Sequence, residues 1–319
     1  MSSFAPPRRH PRILATGMAI IGLAATLIAL PPEPVAAAPL SAATAATADP
    51  TDLTDPTTTD PAVFDPGLII SDFNFFNPDA LTESGIQDFL EQRSCRPSDK
   101  VPCLWEFRET TTSQPAQGDG HCQPYIGAEN ETAARIIAKI AAACTISPKV
   151  LLVLLQKEQS LLTRPSASGY LRATGYGCPD TADCDAQYFG FFNQVYNAAW
   201  QFRQYTQEPD RAFKIGSVDV GFNPKAKCGA STVGVKNQAT ANLYNYTPYQ
   251  PNAVAVANAG DEGDGCSTYG NLNFWLFYND WFGDSTLKPF SVMFDHCLNF
   301  VGGQDCAPAS LLLGVTAAG

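Results

Sequence analysis

The chain has 319 residues, with 20 Lys and Arg against 31 Asp and Glu, a formal net charge of −11, 3 His and 10 Cys. That acidity works against a grip on nucleic acid or on an anionic membrane surface, each of which needs a basic face. The scarcity of histidine works against zinc sites and against histidine-assisted nucleophiles, while an even set of cysteines points to a disulfide framework.

In chain order, Arg8, Arg9 and Arg12 precede a mostly apolar run over 13–30, and Val35-Ala36-Ala37 offers small residues for cleavage. Residues 1–37 therefore read as a secretory signal peptide. Their removal takes away three basic residues and one acidic residue and leaves a net charge of −13. Residues 38–62 are rich in Ala, Thr, Asp and Pro, lack aromatics, and read as a flexible linker. Order is expected to begin near Val63-Phe64-Asp65-Pro66.

Residues 82–93 place Ile86, Phe89 and Leu90 on one helical face, and 104–121 reads as a Thr-, Gln- and Gly-rich loop. Asn130 is expected to cap a helix carrying Ile136, Ile137, Ile140 and Cys144. Ser147 then serves as N-cap and Pro148 as first residue of a helix whose Leu151, Leu154, Leu155 and Glu158 fall on one stripe. Residues 162–185, with Gly169, Gly175 and Gly177, read as irregular. Phe191, Val195, Ala198, Phe202 and Tyr205 share a face of the next helix. Val235, Ala239 and Leu243 mark another, stopped by Thr247-Pro248. Leu272, Trp275, Leu276 and Phe282 mark the last, with Gly283 as its stop. Strand signals are few and short. The fold class is mainly α with long disulfide-stapled loops, one domain over 63–284, and an appendage over 285–319. The chain reads as a monomer.

All ten cysteines follow the leader. The simplest pairing is sequential: Cys95–Cys103, Cys122–Cys144, Cys178–Cys184, Cys228–Cys266 and Cys297–Cys306. Such a framework belongs in an oxidising compartment, outside the cell or in the cell envelope, with no membrane attachment once the leader is removed. No metal site and no cofactor motif is read: there is no Cys-x-x-Cys pair, no Gly-rich phosphate loop and no Gly-x-Ser-x-Gly elbow. His121 and His296 each precede a cysteine and read as loop residues.

Carboxylates remain as the carriers of chemistry. A carboxyl group that ends an apolar helix face and stays dry is pushed toward its neutral form, which is what a general acid needs. That makes Glu158 the catalytic candidate; the alternative is a helix end in solvent, with Glu158 hydrated beside Lys157. Asp180, Asp183 and Asp185, in and beside the short Cys178–Cys184 loop, are candidates for a second carboxylate of glycosidic bond cleavage. Capping and solvating a turn is the alternative for them. Aromatic and amide residues cluster over 170–200 and 244–252, where rings stack on sugars and amides bridge hydroxyl groups. Most of these aromatics are expected in the core.

The run 151–158, ending an apolar helix in Glu158, resembles the catalytic helix of soluble lytic transglycosylases and goose-type lysozymes. Gly190-Phe191-Phe192-Asn193-Gln194 resembles that family's Gly-Leu-Met-Gln motif at its Gly and, with one residue inserted, its Gln. Leu243-Tyr244-Asn245 resembles its Ala-Tyr-Asn motif. Residues 64–283 are similar to secreted actinobacterial proteins of this lysozyme-like type, some labelled haemagglutinin. That resemblance rests on Phe64-Asp65-Pro66-Gly67-Leu68-Ile69-Ile70-Ser71-Asp72, Gln156-Lys157-Glu158-Gln159, Gly175-Tyr176-Gly177-Cys178-Pro179-Asp180 and Tyr246-Thr247-Pro248-Tyr249-Gln250-Pro251-Asn252. The family has Ser directly after its Glu, whereas here Gln159 precedes Ser160.

The resemblance implies a lysozyme-like fold that cleaves the MurNAc-β-1,4-GlcNAc bond of peptidoglycan, with Glu158 as acid and then base. It implies substrate contacts from Tyr176, Tyr188, Asn193, Gln194, Tyr244 and Tyr246. A hydrolytic muramidase using one of Asp180, Asp183 and Asp185, and a non-catalytic glycan-binding adhesin, stand beside that expectation.

Overall fold

Helices carry the fold in the computed structural model, which describes residues 59–118, 120–178, 183–208 and 210–287. Short α1 (Asp72–Phe75) and α2 (Glu83–Glu91) precede α3 (Ala133–Cys144) and α4 (Pro148–Gln159). Then come α5 (Ala167–Leu171), α6 (Phe191–Gln207), α7 (Gln238–Tyr246), α8 (Ala253–Ala257) and α9 (Gly270–Phe282). Two small antiparallel pairs complete it: β1 (Arg108–Glu109) with β2 (Glu131–Thr132), and β3 (Gly216–Gly221) with β4 (Ala230–Val235).

The centre is α4. Val150, Leu151, Leu152, Val153, Leu154 and Leu155 are all at 0% exposure, with α3 and α9 packed against the helix. The expected single stripe is thus replaced by burial on every side, the condition of a helix apolar all round. Each such side chain contributes about 1.5–3 kcal/mol on leaving water, so α4 is a rigid mount for whatever follows it. α3 in turn packs on α2 and α6, and α6 packs on α7.

Helix starts follow local chemistry, modified by neighbours. Thr82 caps α2 by accepting from Gly85 N–H. α3 begins at Thr132, whose hydroxyl accepts from Arg135 N–H, and not at Asn130, which sits at φ +53. The shift arises because Glu131 and Thr132 pair with β1 before the helix can start. Ser147 holds the N-cap position of α4, but its hydroxyl makes no cap bond; its N–H donates to Phe75 O at 2.8 Å.

Val235 belongs to β4 and not to the following helix, which begins after Asn237 caps it. Val233 and Val235 are buried while Ser231, Thr232 and Gly234 are exposed, the alternation of a half-buried strand. The loop regions expected over 104–121 and 162–185 also contain regular structure, β1 and α5 respectively.

Four expected disulfides are present: Cys95–Cys103, Cys122–Cys144, Cys178–Cys184 and Cys228–Cys266. Packing extends slightly beyond 63–284 at both ends. Thr59 N–H and Oγ1 donate to Asp280 Oδ1 at 2.9 and 2.5 Å. Ser285 is buried, with its hydroxyl on Ile69 O and its carbonyl accepting from Ser71 N–H. The leader, most of the linker, Asp180, and residues 288–319 with His296, Cys297 and Cys306 lie outside the described residues.

Candidate functional site

α4 delivers Glu158 to the surface at its last turn. Ser160 takes φ +52 and ends the helix, its N–H on Gln156 O and the Leu161 N–H on Leu155 O. A left-handed cap turns the chain away here, so the residues just before it emerge from the core. Gln156 stiffens the exit: its Nε2 donates to Thr163 Oγ1 at 3.0 Å and its Oε1 accepts from Leu162 N–H at 3.2 Å.

The Glu158 side chain is 24% exposed and that of Lys157 only 3%. Lys157 Nζ donates to Glu158 Oε1 and, at 3.1 Å, to Thr247 Oγ1 at the end of α7. Glu158 is therefore neither a dry, unpaired carboxyl nor one merely hydrated at a helix end. A buried ammonium sits against one of its oxygens. The other, Oε2, abuts the Gly175 turn: a methyl group placed on Gly175 would lie 3.4 Å from it.

That turn forms one wall of a cleft of about 350 Å³, lined by Gly175, Tyr176 and Gly177, by Gln201 and Tyr205 of α6, and by Tyr246 of α7. Gly175 and Gly177 both take φ +70, a conformation that glycine adopts without strain. Tyr176 meets Tyr188 edge-on at 4.8 Å. Burial, helped by Tyr188 and Tyr205, pushes the Tyr176 phenol up to about 12. Burial first, and the Glu158 charge second, push Tyr246 well above the usual phenol value. These hydroxyls thus remain protonated and able to donate; that of Tyr246 is committed to Thr174 O at 2.8 Å. A roomier cavity of about 470 Å³ lies between Asp65 and Asp284. Its carboxylates are occupied, Asp65 by Lys236 and Asp284 by the N–H and hydroxyl of Thr286.

The expected substrate residues divide. Tyr176 and Tyr246 line the cleft, and Tyr188 packs on Tyr176. Gln194 is at 0% exposure, so it does not meet a ligand. Its Oε1 accepts from the Thr174 and Tyr176 N–H groups, and its Nε2 donates to Tyr176 O and Tyr188 O. It builds the wall from behind. Tyr244 is also fully buried, its hydroxyl on Pro66 O at 2.9 Å, because it faces away from the cleft on α7. Asn193 donates to Phe189 O at 3.0 Å. In the second amide-rich group, Asn245 binds Phe213, Gln250 ties β3 to β4, and Asn252 caps α8.

Of the aspartates, Asp185 spends both oxygens on Gln187 and caps the turn Ala186–Tyr188. Asp183 is exposed within the Cys178–Cys184 loop. Among the described residues no contact brings either to Glu158, and no group of three or more His, Cys, Asp or Glu stands close enough to hold a metal ion. No described helix is long and apolar enough to cross a membrane.

Two cleft residues escape a reading confined to motifs. Gln201 and Tyr205 follow Gln194 at helical spacings of seven and eleven, so one stripe of α6 both supports and lines the cleft. Glu109, in β1, is a further carboxylate. Its Oε2 accepts from Phe192 N–H at 2.9 Å, so it caps α6 in place of the Gly190 side chain that does not exist. Burial raises its pKa, and the Phe192 N–H offsets only part of that.

Comparison with protein-family models, curated proteins and solved structures finds no match.

Proposed function

We propose that the chain is an exported enzyme with a lysozyme-like domain that cleaves the MurNAc-β-1,4-GlcNAc bond of peptidoglycan strands, as a lytic transglycosylase. The observation that carries this reading is the position of Glu158. Its Oε2 lies beside the Gly175 turn, next to but not lining a cleft walled by Tyr176, Tyr205 and Tyr246, while the stretch of α4 over 150–155 that carries it is fully buried. The resemblance of 151–158 to a transglycosylase catalytic helix supports it, and four disulfides fit an exported chain.

In the proposed reaction Glu158 passes a proton to the glycosidic oxygen as the bond from C1 breaks. The 6-hydroxyl of the same sugar then attacks C1 and returns its proton to Glu158, leaving a 1,6-anhydro end. No second carboxylate is consumed or needed. Stacking on the tyrosine rings would hold the sugars, with the protonated phenols other than that of Tyr246 as donors.

Incubation of the chain with purified peptidoglycan, beside Glu158→Gln, tests this. Soluble muropeptides with 1,6-anhydro ends are expected from the first and about 10²–10⁴-fold less from the variant. Equal release by both, or none from either, defeats the proposal. Reducing ends in place of anhydro ends mean hydrolysis, for which Asp183 and Asp185 are the described residues to test. A second reading, a glycan-binding protein without catalysis, is favoured by the Lys157–Glu158 ion pair, which already satisfies the carboxylate. Under it, peptidoglycan is retained by both proteins and cut by neither.

A further inference from the structure

Away from the cleft, Trp105 stands at the tip of the turn 104–106 and is 36% exposed. The turn is built to hold it still. Glu106 N–H and Phe107 N–H both donate to Cys103 O, at 2.9 and 3.1 Å. Cys103 is bonded to Cys95, and Gln87 Nε2 of α2 donates to Trp105 O at 3.0 Å. Leu104, next to it, is buried in the core. The backbone that carries this large, part-exposed aromatic residue is thus ordered before any ligand arrives.

Two cavities meet at this indole. One, of about 510 Å³, runs along the outer face of α2 past Glu83, Ser84 and Gln87 to Arg108. The other, of about 430 Å³, is lined by Glu91, Arg93 and the Cys95–Cys103 disulfide. Both fall in the roughly 300–1,000 Å³ range of small-molecule sites. Neither shares a residue with the tyrosine cleft. Their linings supply two carboxylates and two guanidinium groups with no net formal charge, each holding a protein partner and keeping further hydrogen-bonding capacity: Glu83 pairs with Arg135, Glu91 accepts from Gln87 Nε2, Arg108 donates to Asn130 O, and Arg93 lies over the Phe89 ring. That balance disfavours a polyanion or a polycation, each of which would meet two like charges. Carboxylates, guanidinium groups and amides instead pair with adjacent hydroxyl groups of a neutral sugar, two bonds at a time. The indole face takes the flat apolar face of a pyranose ring.

From this geometry we propose that Trp105 and the two flanking cavities form a second saccharide site, which takes an uncharged oligosaccharide laid across the indole; its β-1,4 linkage rests on the reading given to the cleft. The site is independent of the reaction assigned to Glu158. It would hold a glycan strand to the protein whether or not the cleft cuts it.

The test uses the full chain carrying Glu158→Gln, so that no probe is consumed, titrated with chitopentaose and with cellopentaose by calorimetry. Binding of at least one probe is expected, about tenfold or more weaker in Trp105→Ala and largely kept in Trp105→Phe. Thermal unfolding of each variant checks that the fold is intact, and Tyr176→Ala in the tyrosine cleft is the control for binding elsewhere. The proposal is overturned if neither probe binds at millimolar concentration, or if Trp105→Ala binds as tightly as its parent. It is equally overturned if affinity falls only in Tyr176→Ala, which would assign the sugar to the cleft.

Discussion

Glu131 and Glu158 show two ways in which this chain keeps a carboxylate out of bulk water. Glu131 is 3% exposed and receives hydrogen bonds from Lys139 Nζ, Thr111 Oγ1 and Tyr125 OH. Burial pushes its carboxyl upward, but those three donors and the Lys139 charge more than offset it, so its pKa lies below the usual carboxylate value. Lys139 also lies 4.2 Å over the Tyr125 ring. Removing the acceptor strands the buried Tyr125 phenol and leaves the Lys139 ammonium to Ile126 O. Glu131→Ala should therefore cost about 2–4 kcal/mol in chemical denaturation at pH 7. A loss below about 1 kcal/mol would mean that the cluster relaxes into water. Glu158 has a different arrangement: one oxygen is held by Lys157 and the other abuts the cleft wall, which suits a group that must act as well as be held.

At the level of elements, the cleft is the meeting of a helix end, a glycine turn and two helix faces. The Cys178–Cys184 link and the four hydrogen bonds of Gln194 hold the turn against α6, and the Tyr246 hydroxyl ties it to α7. Gly175→Ala tests this design. A side chain at φ +70 costs about 1–2 kcal/mol, and its methyl would sit 3.4 Å from Glu158 Oε2. Under the proposed function, muropeptide release should fall by about tenfold or more while the cooperative unfolding transition persists. Initial rates on peptidoglycan and a thermal melt read the two effects separately; an unchanged rate would remove the turn from the site. The Cys122–Cys144 and Cys228–Cys266 links act on longer segments, α3 and the β3–β4 hairpin, and each contributes about 3–4 kcal/mol by restricting the unfolded chain.

For the whole molecule, the two shifted glutamates pull stability in opposite directions with pH. The lowered pKa of Glu131 gives stability that is present above the ordinary value of 4.5 and is lost as pH falls through its folded value. The raised pKa of Glu109 gives stability that is present below 4.5 and is lost as pH rises through its folded value. Glu109→Gln keeps an acceptor for Phe192 N–H and removes the charge. It should be more stable than the parent at pH 7, and the difference should vanish by about pH 4.5. Denaturation curves at several pH values check this; a constant difference would show that Glu109 does not titrate with folding. The order of these elements was largely legible in the chain. Periodic apolar residues with Thr82, Pro148 and Gly283 at their ends marked α2, α4 and α9, and pairing each cysteine with the next along the chain marked four disulfides, because caps, periods and neighbour-to-neighbour links are local. The strand pairs were not legible, since each depends on a partner supplied elsewhere in the chain. The site depends on distance in the same way. Sequence singled out Glu158, Tyr176 and Tyr246, but it did not separate Tyr246 at the cleft from Tyr244 in the core, or Gln194 behind the wall from Gln201 lining it. Nor did it show that Lys157 is buried against Glu158, because that placement needs Thr247, which α7 brings in from 90 residues away. Local propensity determined which segments are helices; non-local packing decided which side chains face the cleft and which support it.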